Sequence, residues 1–444
     1  MTIVHEVRLV QVNPGENKNR FYVLSLDTSG TLTKRWGRVG TTGQTKIERN
    51  VTLYDVGAFA QSKERRGYQR VDAIDTPITG ASTAQTNAAA LAAAAKASLV
   101  TKSNKTLDAL IERIATANKH AITLASGGQI TFNATGQATT ALGVISASSV
   151  SRARTILDDI VAGGPANPAR PGLVAEYLTL VPQKVGSRRG WDADFAADAK
   201  AQAKQYELLD ALVTVVPAAP AQGDTAPQVA FRYKVDVADA ATTKRIAEMF
   251  EAGKSPNHPS ARLKVKRVYV LTDDAEHTAA FEKRASEIRN VQQMWHGSRA
   301  WNILNILRTG LHVPTAARTN GMDFHGALFG PGAYFAPAAS SSGKPVPSGA
   351  TKAANYAYGG VWSGSRDTGS VFVFLADVAA GSEFRSTDPL WAKHGWRGSR
   401  TTTNKFGKPW NSISVKGGTA GVINDERIVW DGDQVSLRFL VELG

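Results

Sequence analysis

At 444 residues the chain exceeds one comfortable core, so two to four domains are expected. The absence of cysteine excludes disulfides, thiol catalysis and thiolate zinc sites. A net charge of +14 points towards polyanionic partners, and no apolar run approaches the ~20 residues that span a bilayer.

The start, Met1-Thr-Ile-Val-His-Glu, lacks the charged and apolar regions of a signal peptide, which predicts an intracellular protein. Val7 and Leu9, Phe21-Tyr-Val-Leu24, then Val51 and Leu53 supply short β-favouring runs between Gly, Asn and Asp turns. Lys34-Arg-Trp-Gly-Arg-Val-Gly40 falls inside this meander, with Lys46 and Arg49 on the next strand. Val56, Phe59 and Ala60 mark an amphipathic helix over about residues 54–66, with a basic tail. Residues 77–103 are rich in alanine, which favours helix, but show no broad apolar face, so a partly helical linker is expected.

From Leu107 the period turns helical. Leu107, Leu110, Ile111 and Ile114 form one stripe; Val150, Ala153, Leu157 and Ile160 a second; Tyr206, Leu209, Leu212 and Val213 a third. The glycines near 127 and a turn at 141–146 interrupt these helices. After a Pro/Ala/Gly boundary at 217–224, strand-like runs (Phe231–Val235, Val265–Leu271, Val371–Leu375, Ile428–Trp430, Val435–Leu440) outnumber helices such as 276–289. That pattern predicts an α+β split sheet with a ligand crevice. No G-x-G-x-x-G follows a strand, which argues against a Rossmann cofactor site.

Four stretches of this last region carry chemistry. Met294-Trp-His-Gly-Ser-Arg299 leads into a short helix with Ile303, Ile306 and Leu307 at helical spacing and Gly310 as its stop. Glycine beside a histidine at a strand end lets a ligand approach the backbone. Gly330-Pro-Gly-Ala-Tyr-Phe-Ala-Pro337 places Tyr334 in a strand, Lys352-Ala-Ala-Asn-Tyr356 brings a second tyrosine, and Asn424-Asp-Glu-Arg-Ile-Val-Trp-Asp431 sets Glu426 before an apolar strand.

In this order the four motifs closely resemble the catalytic domain of poly(ADP-ribose) polymerases. Trp36-Gly37-Arg38, followed by Val39-Gly40, resembles the WGR domain of that family. Ala141–Ser146 and Leu173–Pro182 resemble landmarks of its helical regulatory domain. The resemblance implies a multidomain α+β protein: a small mixed or antiparallel β WGR domain (1–76), the Ala-rich linker (77–103), an α-helical regulatory domain (104–218) and an α+β split-sheet ADP-ribosyltransferase domain (219–444). The zinc fingers of the larger polymerases are excluded by the missing cysteines.

By the same resemblance His296, Tyr334 and Glu426 form a catalytic triad, with NAD⁺ as substrate and no metal. Gly297 would bind the carboxamide through its backbone, and Tyr356 would stack on the pyridinium. Tyr334 would pack against the nicotinamide ribose, while His296, Ser298 and Asn302 reach the adenosine ribose. Gly310 and Lys352 complete the nucleotide-binding set. Glu426 would hold the nicotinamide ribose, stabilise the oxocarbenium-like transition state and polarise the acceptor hydroxyl. Trp36, Arg38, Lys34 and Lys46 would bind DNA strand breaks or ends.

The expectation is a DNA-break-stimulated poly(ADP-ribose) polymerase of the DNA damage response, modifying proteins including itself, with no membrane partner. It would sit in the cytoplasm or nucleoid of a bacterial or viral source, or in a eukaryotic nucleus. A mono(ADP-ribosyl)transferase and a catalytically silent DNA-end-binding scaffold are the alternatives. Two departures stand out: Ala353 where the family usually has a carboxamide-holding serine, and His312 where it often has arginine.

Overall fold

A computed structural model describes residues 3–70, 87–102, 104–132, 138–140, 143–186, 189–215, 231–254, 259–311, 329, 332–338, 353–354, 371–387, 407, 409–419, 422 and 424–444. Its contacts group into two compact units, Met1–Ala94 with Lys119–Val229, and Ala95–Asn118 with Ala230–Gly444. The division differs from the expected linear order: the end of the Ala-rich stretch and the first part of the helical block go with the C-terminal residues. No helix among the described residues is long and apolar enough to cross a membrane.

The first unit opens with strands β1 (Ile3–Asn13), β2 (Lys18–Asp27), β3 (Leu32–Arg38), β4 (Gln44–Glu48) and β5 (Gln69–Arg70), in the spatial order β4-β3-β2-β1-β5. Every pairing is antiparallel; short turns join β1 through β4 as a meander, and β5 returns after the following helix to pair with β1. Val7, Leu9, Leu24, Leu26 and Leu32 of one sheet face pack with Val56 and Ala60 of helix α1 (Leu53–Glu64). Thr52 and Asp55 close a capping box at the start of α1. That cap is why Leu53, expected in a strand, begins a helix instead.

The helical part of this unit carries α4 (Ala147–Gly163), α5 (Arg170–Leu180) and α6 (Ala199–Val215). Val150, Ala153, Leu157 and Ile160 of the second predicted stripe are buried, as are Tyr206, Leu209 and Leu212 of the third, while Val213 is half-buried. A three-stranded sheet of two- and three-residue strands, β6 (Thr131–Phe132), β7 (Ala138–Thr140) and β8 (Gly143–Val144), occupies the stretch that broke the helical pattern.

Helix α2 (Asn87–Leu99) covers part of the expected linker, and it is packed rather than solvated: Leu91, Ala95 and Leu99 are all buried. Alanines supply little area each, but they let a helix approach its neighbours closely. In the second unit Ser98 accepts from Lys234 through its carbonyl and from the Phe231 N–H through its hydroxyl, the latter at 3.0 Å. Helix α3 (Lys105–Ala125) buries its stripe Leu107, Leu110, Ile111 and Ile114.

The C-terminal region is built on a nine-stranded sheet. Its strands are β9 (Lys234–Val237), β10 (Val265–Thr272), β11 (Val291–Ser298), β12 (Ala333–Pro337), β13 (Val371–Ala379), β14 (Glu383–Ser386), β15 (Ser412–Val415), β16 (Glu426–Val429) and β17 (Val435–Leu443). They run in the order β14-β15-β16-β12-β11-β13-β17-β10-β9. β12 joins two sub-sheets, pairing with β11 by two residues and with β16 by three, so the sheet is split at this short strand. β13 is buried along almost its whole length, as its continuous Val-Phe-Val-Phe-Leu run predicts. Helices α7 (Ala240–Ala252), α8 (Ala275–Ile288) and α9 (Ala300–Thr309) flank it.

Candidate functional site

The split places the conspicuous residues of the C-terminal motifs on three adjacent strands. His296 and Gly297 lie near the end of β11, Tyr334 on β12, and Glu426 opens β16. Tyr334 pairs with Ile428, and side chains alternate along a strand, so Tyr334 and Glu426 project to the same face. That face carries an apolar cluster of Phe329, Ile413, Val415, Val422 and Ile428, against which Tyr334 packs. Glu426, 8% exposed, sits at its margin.

Local bonds fix each group. The Phe329 N–H donates to the Tyr334 hydroxyl at 3.0 Å. Burial pushes the Tyr334 phenol well above its ordinary pKa, and the nearby Glu426 carboxylate adds to the rise, against the opposing Phe329 bond. Just before Glu426, Asp425 accepts from the Gly417 N–H at 2.8 Å and pairs with Lys416 at 3.1 Å, closing the turn that delivers β16. Arg427, on the other face, pairs with Glu383 at 3.2 Å.

His296 Nδ1 lies 2.9 Å from the Tyr334 carbonyl oxygen. A carbonyl only accepts, so Nδ1 carries the hydrogen and the Nε2 lone pair of the neutral ring remains an acceptor. Desolvation lowers the imidazole pKa, and the bond to Tyr334 offsets only part of this. Gly297 and Ser298 are buried, and α9 starts two residues later. The Asn302 side-chain oxygen in its first turn is buried and has no hydrogen-bond partner among the described residues. Gly310, at φ +83°, stops α9 where a side chain would strike the Arg232 guanidinium.

Arg232 was not legible as part of this region, because Phe231–Val235 reads only as a strand. It grips Asp273 through two bonds of 2.7 Å each, while the Arg232 and Tyr233 N–H groups bond the Arg308 and Leu307 carbonyls at the end of α9. Ala353 is buried in the core with Trp295, Ala336 and Ala338. Lys352, Tyr356 and His312 lie outside the described residues.

The basic tripeptide region of the first unit is organised differently from its expectation. Trp36 is half-buried and stacks on Tyr22, ring centroids 5.6 Å apart and 15° from parallel, while the Lys63 ammonium lies 4.2 Å from the Tyr22 ring. A side chain at Gly37 would meet the Gly43 backbone at 2.8 Å, which explains glycine in the middle of the tripeptide. Arg38 turns inward: it donates to the Asn17 carbonyl and side-chain oxygen, each at 3.0 Å, and to the Gly186 carbonyl at 2.8 Å. Lys34 is only 5% exposed, pairs with Glu48 at 2.7 Å and lies 3.1 Å from the Phe59 ring centroid. Lys46 keeps 65% of its side-chain surface while pairing with Glu48 at 3.0 Å.

Two known domain families match parts of the chain. Residues 241–444 match the poly(ADP-ribose) polymerase catalytic domain and residues 5–73 the WGR domain. Poly [ADP-ribose] polymerase 2 of Zea mays is 23% identical over 99% of this chain and 70% of its own length. Poly [ADP-ribose] polymerase 2 of Homo sapiens is 27% identical over 45% of the chain and 34% of its own. Poly [ADP-ribose] polymerase 1 of Arabidopsis thaliana is 27% identical over 46% of the chain, and the match spans only 20% of that relative.

Proposed function

We propose, from a chain that joins a WGR domain to a poly(ADP-ribose) polymerase catalytic domain, that it transfers ADP-ribose from NAD⁺ to proteins, itself included. It extends the product into poly(ADP-ribose) and is stimulated by broken DNA. The observation that carries this reading is the placement of Tyr334 and Glu426 on one face of the split sheet, with neutral His296 on the next strand.

The chemistry follows from that placement. Breaking the nicotinamide–ribose bond sends its electron pair to the nicotinamide and leaves positive charge on the anomeric carbon. The Glu426 carboxylate stabilises that charge, then draws the proton of an acceptor hydroxyl as its oxygen bonds to the same carbon. His296 Nε2 accepts a ribose hydroxyl hydrogen, and the orphaned Asn302 oxygen takes another, so a buried polar atom gains the partner it lacks. Gly297 offers its backbone to the carboxamide, and Tyr334 forms the wall beside the ribose.

On the WGR side, half-buried Trp36 and exposed Lys46 are the groups positioned for a DNA end. Arg38 and Lys34 act from within the fold by holding that surface in shape. Incubation with labelled NAD⁺, with and without nicked DNA, followed by electrophoresis, tests the proposal. A DNA-dependent ladder is expected. A single unresolved increment would make the protein a mono(ADP-ribosyl)transferase, and no label with DNA bound would make it a scaffold.

A further inference from the structure

The strap between α5 and α6, described at residues 183–186 and 189–195, is held from both sides within the first unit. From the sheet, Asn19 donates to the Gln183 carbonyl at 3.2 Å, Arg38 donates to that of Gly186, and the Gly190 N–H bonds the Pro14 carbonyl at 3.3 Å. From the helices, buried Arg170 donates to the carbonyls of Ile160, Gly164, Asp192 and Phe195. Beneath the strap lies a partly open cavity of about 260 Å³. That is near the lower end of the roughly 300–1,000 Å³ of small-molecule sites. It stays hollow because Ala125, Ala196 and Ala201 stand where larger side chains would fill it.

The walls are unevenly furnished. The side-chain amides of Gln183 and Gln205 each donate a hydrogen bond to the other, at 2.8 and 3.1 Å, and Tyr177 donates to Gln205 at 3.0 Å. Trp191 and Phe195 give the wall its aromatic surface, and the Trp191 indole N–H, buried behind it, has no acceptor among the described residues. Native folds rarely leave such a donor unmade. Lys184 and Lys204 line the opening with exposed side chains, and neither forms an ion pair among the described residues. Asp194 is the one carboxylate of the lining.

We propose that this cavity binds a small organic anion bearing a heteroaromatic ring, of nucleoside monophosphate size. The ring enters among the alanines and packs against the Trp191 and Phe195 side chains; the anionic group meets the Lys184 and Lys204 ammoniums. This site is separate from the catalytic sheet, and the WGR sheet grips the strap that roofs it. Its existence does not depend on the reaction proposed above.

The test is calorimetric titration of the full chain with AMP, with adenosine and inorganic phosphate as half-ligand controls. AMP should bind at least tenfold more tightly than either control. K184E/K204E, which changes two exposed residues, should weaken AMP at least tenfold and leave adenosine unchanged. A201W should abolish AMP binding by filling the hollow, with circular dichroism checking the fold. Absence of AMP binding to the parent chain would overturn the proposal and leave a water-filled hollow. AMP binding that NAD⁺ displaces and K184E/K204E leaves unchanged would place the ligand in the catalytic unit and overturn it equally.

Discussion

The Arg113 guanidinium holds the Glu442 carboxylate through two hydrogen bonds, 2.6 and 3.1 Å long, across 329 residues of chain. Glu442 is 1% exposed on β17 and also accepts from the Tyr269 hydroxyl at 3.0 Å, with Arg267 at 3.4 Å. Burial pushes its carboxyl pKa up, but the Arg113 bonds and charge, with help from Tyr269 and Arg267, bring it below the ordinary value. A helix that reads as regulatory is thus anchored to a strand two places from β11. Arg113→Ala leaves a buried charge short of its main partner and should cost about 3 kcal/mol of unfolding free energy. Because the folded pKa is depressed, this stabilisation is present above the unfolded carboxylate pKa and fades as pH falls through the folded one. Urea unfolding at pH 7 and pH 4 checks both; equal loss at the two pH values would contradict the assignment.

His296 gives a second pH signature. Its folded pKa lies below the ordinary value near 6.5. Its contribution to stability is therefore full above pH 6.5 and is lost as pH falls towards the folded value, because only the unfolded ring protonates there. Transferase activity should stay flat from pH 8 through 6.5 before dropping on the acid side. A profile that halves at or above 6.5 would mean that the ring is not desolvated.

Glu426→Gln should lower polymer formation by about 10²-fold or more while NAD⁺ affinity changes little, since the lost charge acts on the transition state and acceptor. Labelled-NAD⁺ electrophoresis beside equilibrium binding measures the two separately. Parental polymer from the variant would show that another carboxylate acts.

The WGR surface should show two classes of effect. Trp36→Ala should weaken binding of a nicked duplex at all salt concentrations, and Lys46→Ala should reduce the salt slope by about 1. Arg38→Ala should act by loosening the strap at Gly186, seen as faster amide exchange in residues 183–195. Unchanged DNA affinity in Trp36→Ala would move the DNA site elsewhere.

Deleting residues 104–216 should raise DNA-free activity to the DNA-stimulated level if the helical block holds the transferase back. The deletion also removes Arg113, so the truncated chain should carry Glu442→Gln to avoid a stranded carboxylate. A truncated protein that binds NAD⁺ and still needs DNA would reduce the block to a spacer.

Much of this was legible in the residues alone. Apolar stripes such as Leu107-Leu110-Ile111-Ile114 repeat at the helical period, and the Val-Phe-Val-Phe-Leu run at 371–375 has no polar side, so both announce burial from local spacing. The order of the His296, Tyr334 and Glu426 motifs announced the catalytic domain. The adjacency of β11, β12 and β16 was decided by tertiary pairing, since the residues come from segments 38 and 92 positions apart. Partners also escaped the sequence. Arg38 bonds Asn17 and Gly186, the helix of the alanine stretch buries Leu91, Ala95 and Leu99, and Arg113 meets Glu442. Periodicity reports which side of an element is buried, but a charge or a small side chain carries no local mark of what it will touch, and only the folded chain supplies that contact.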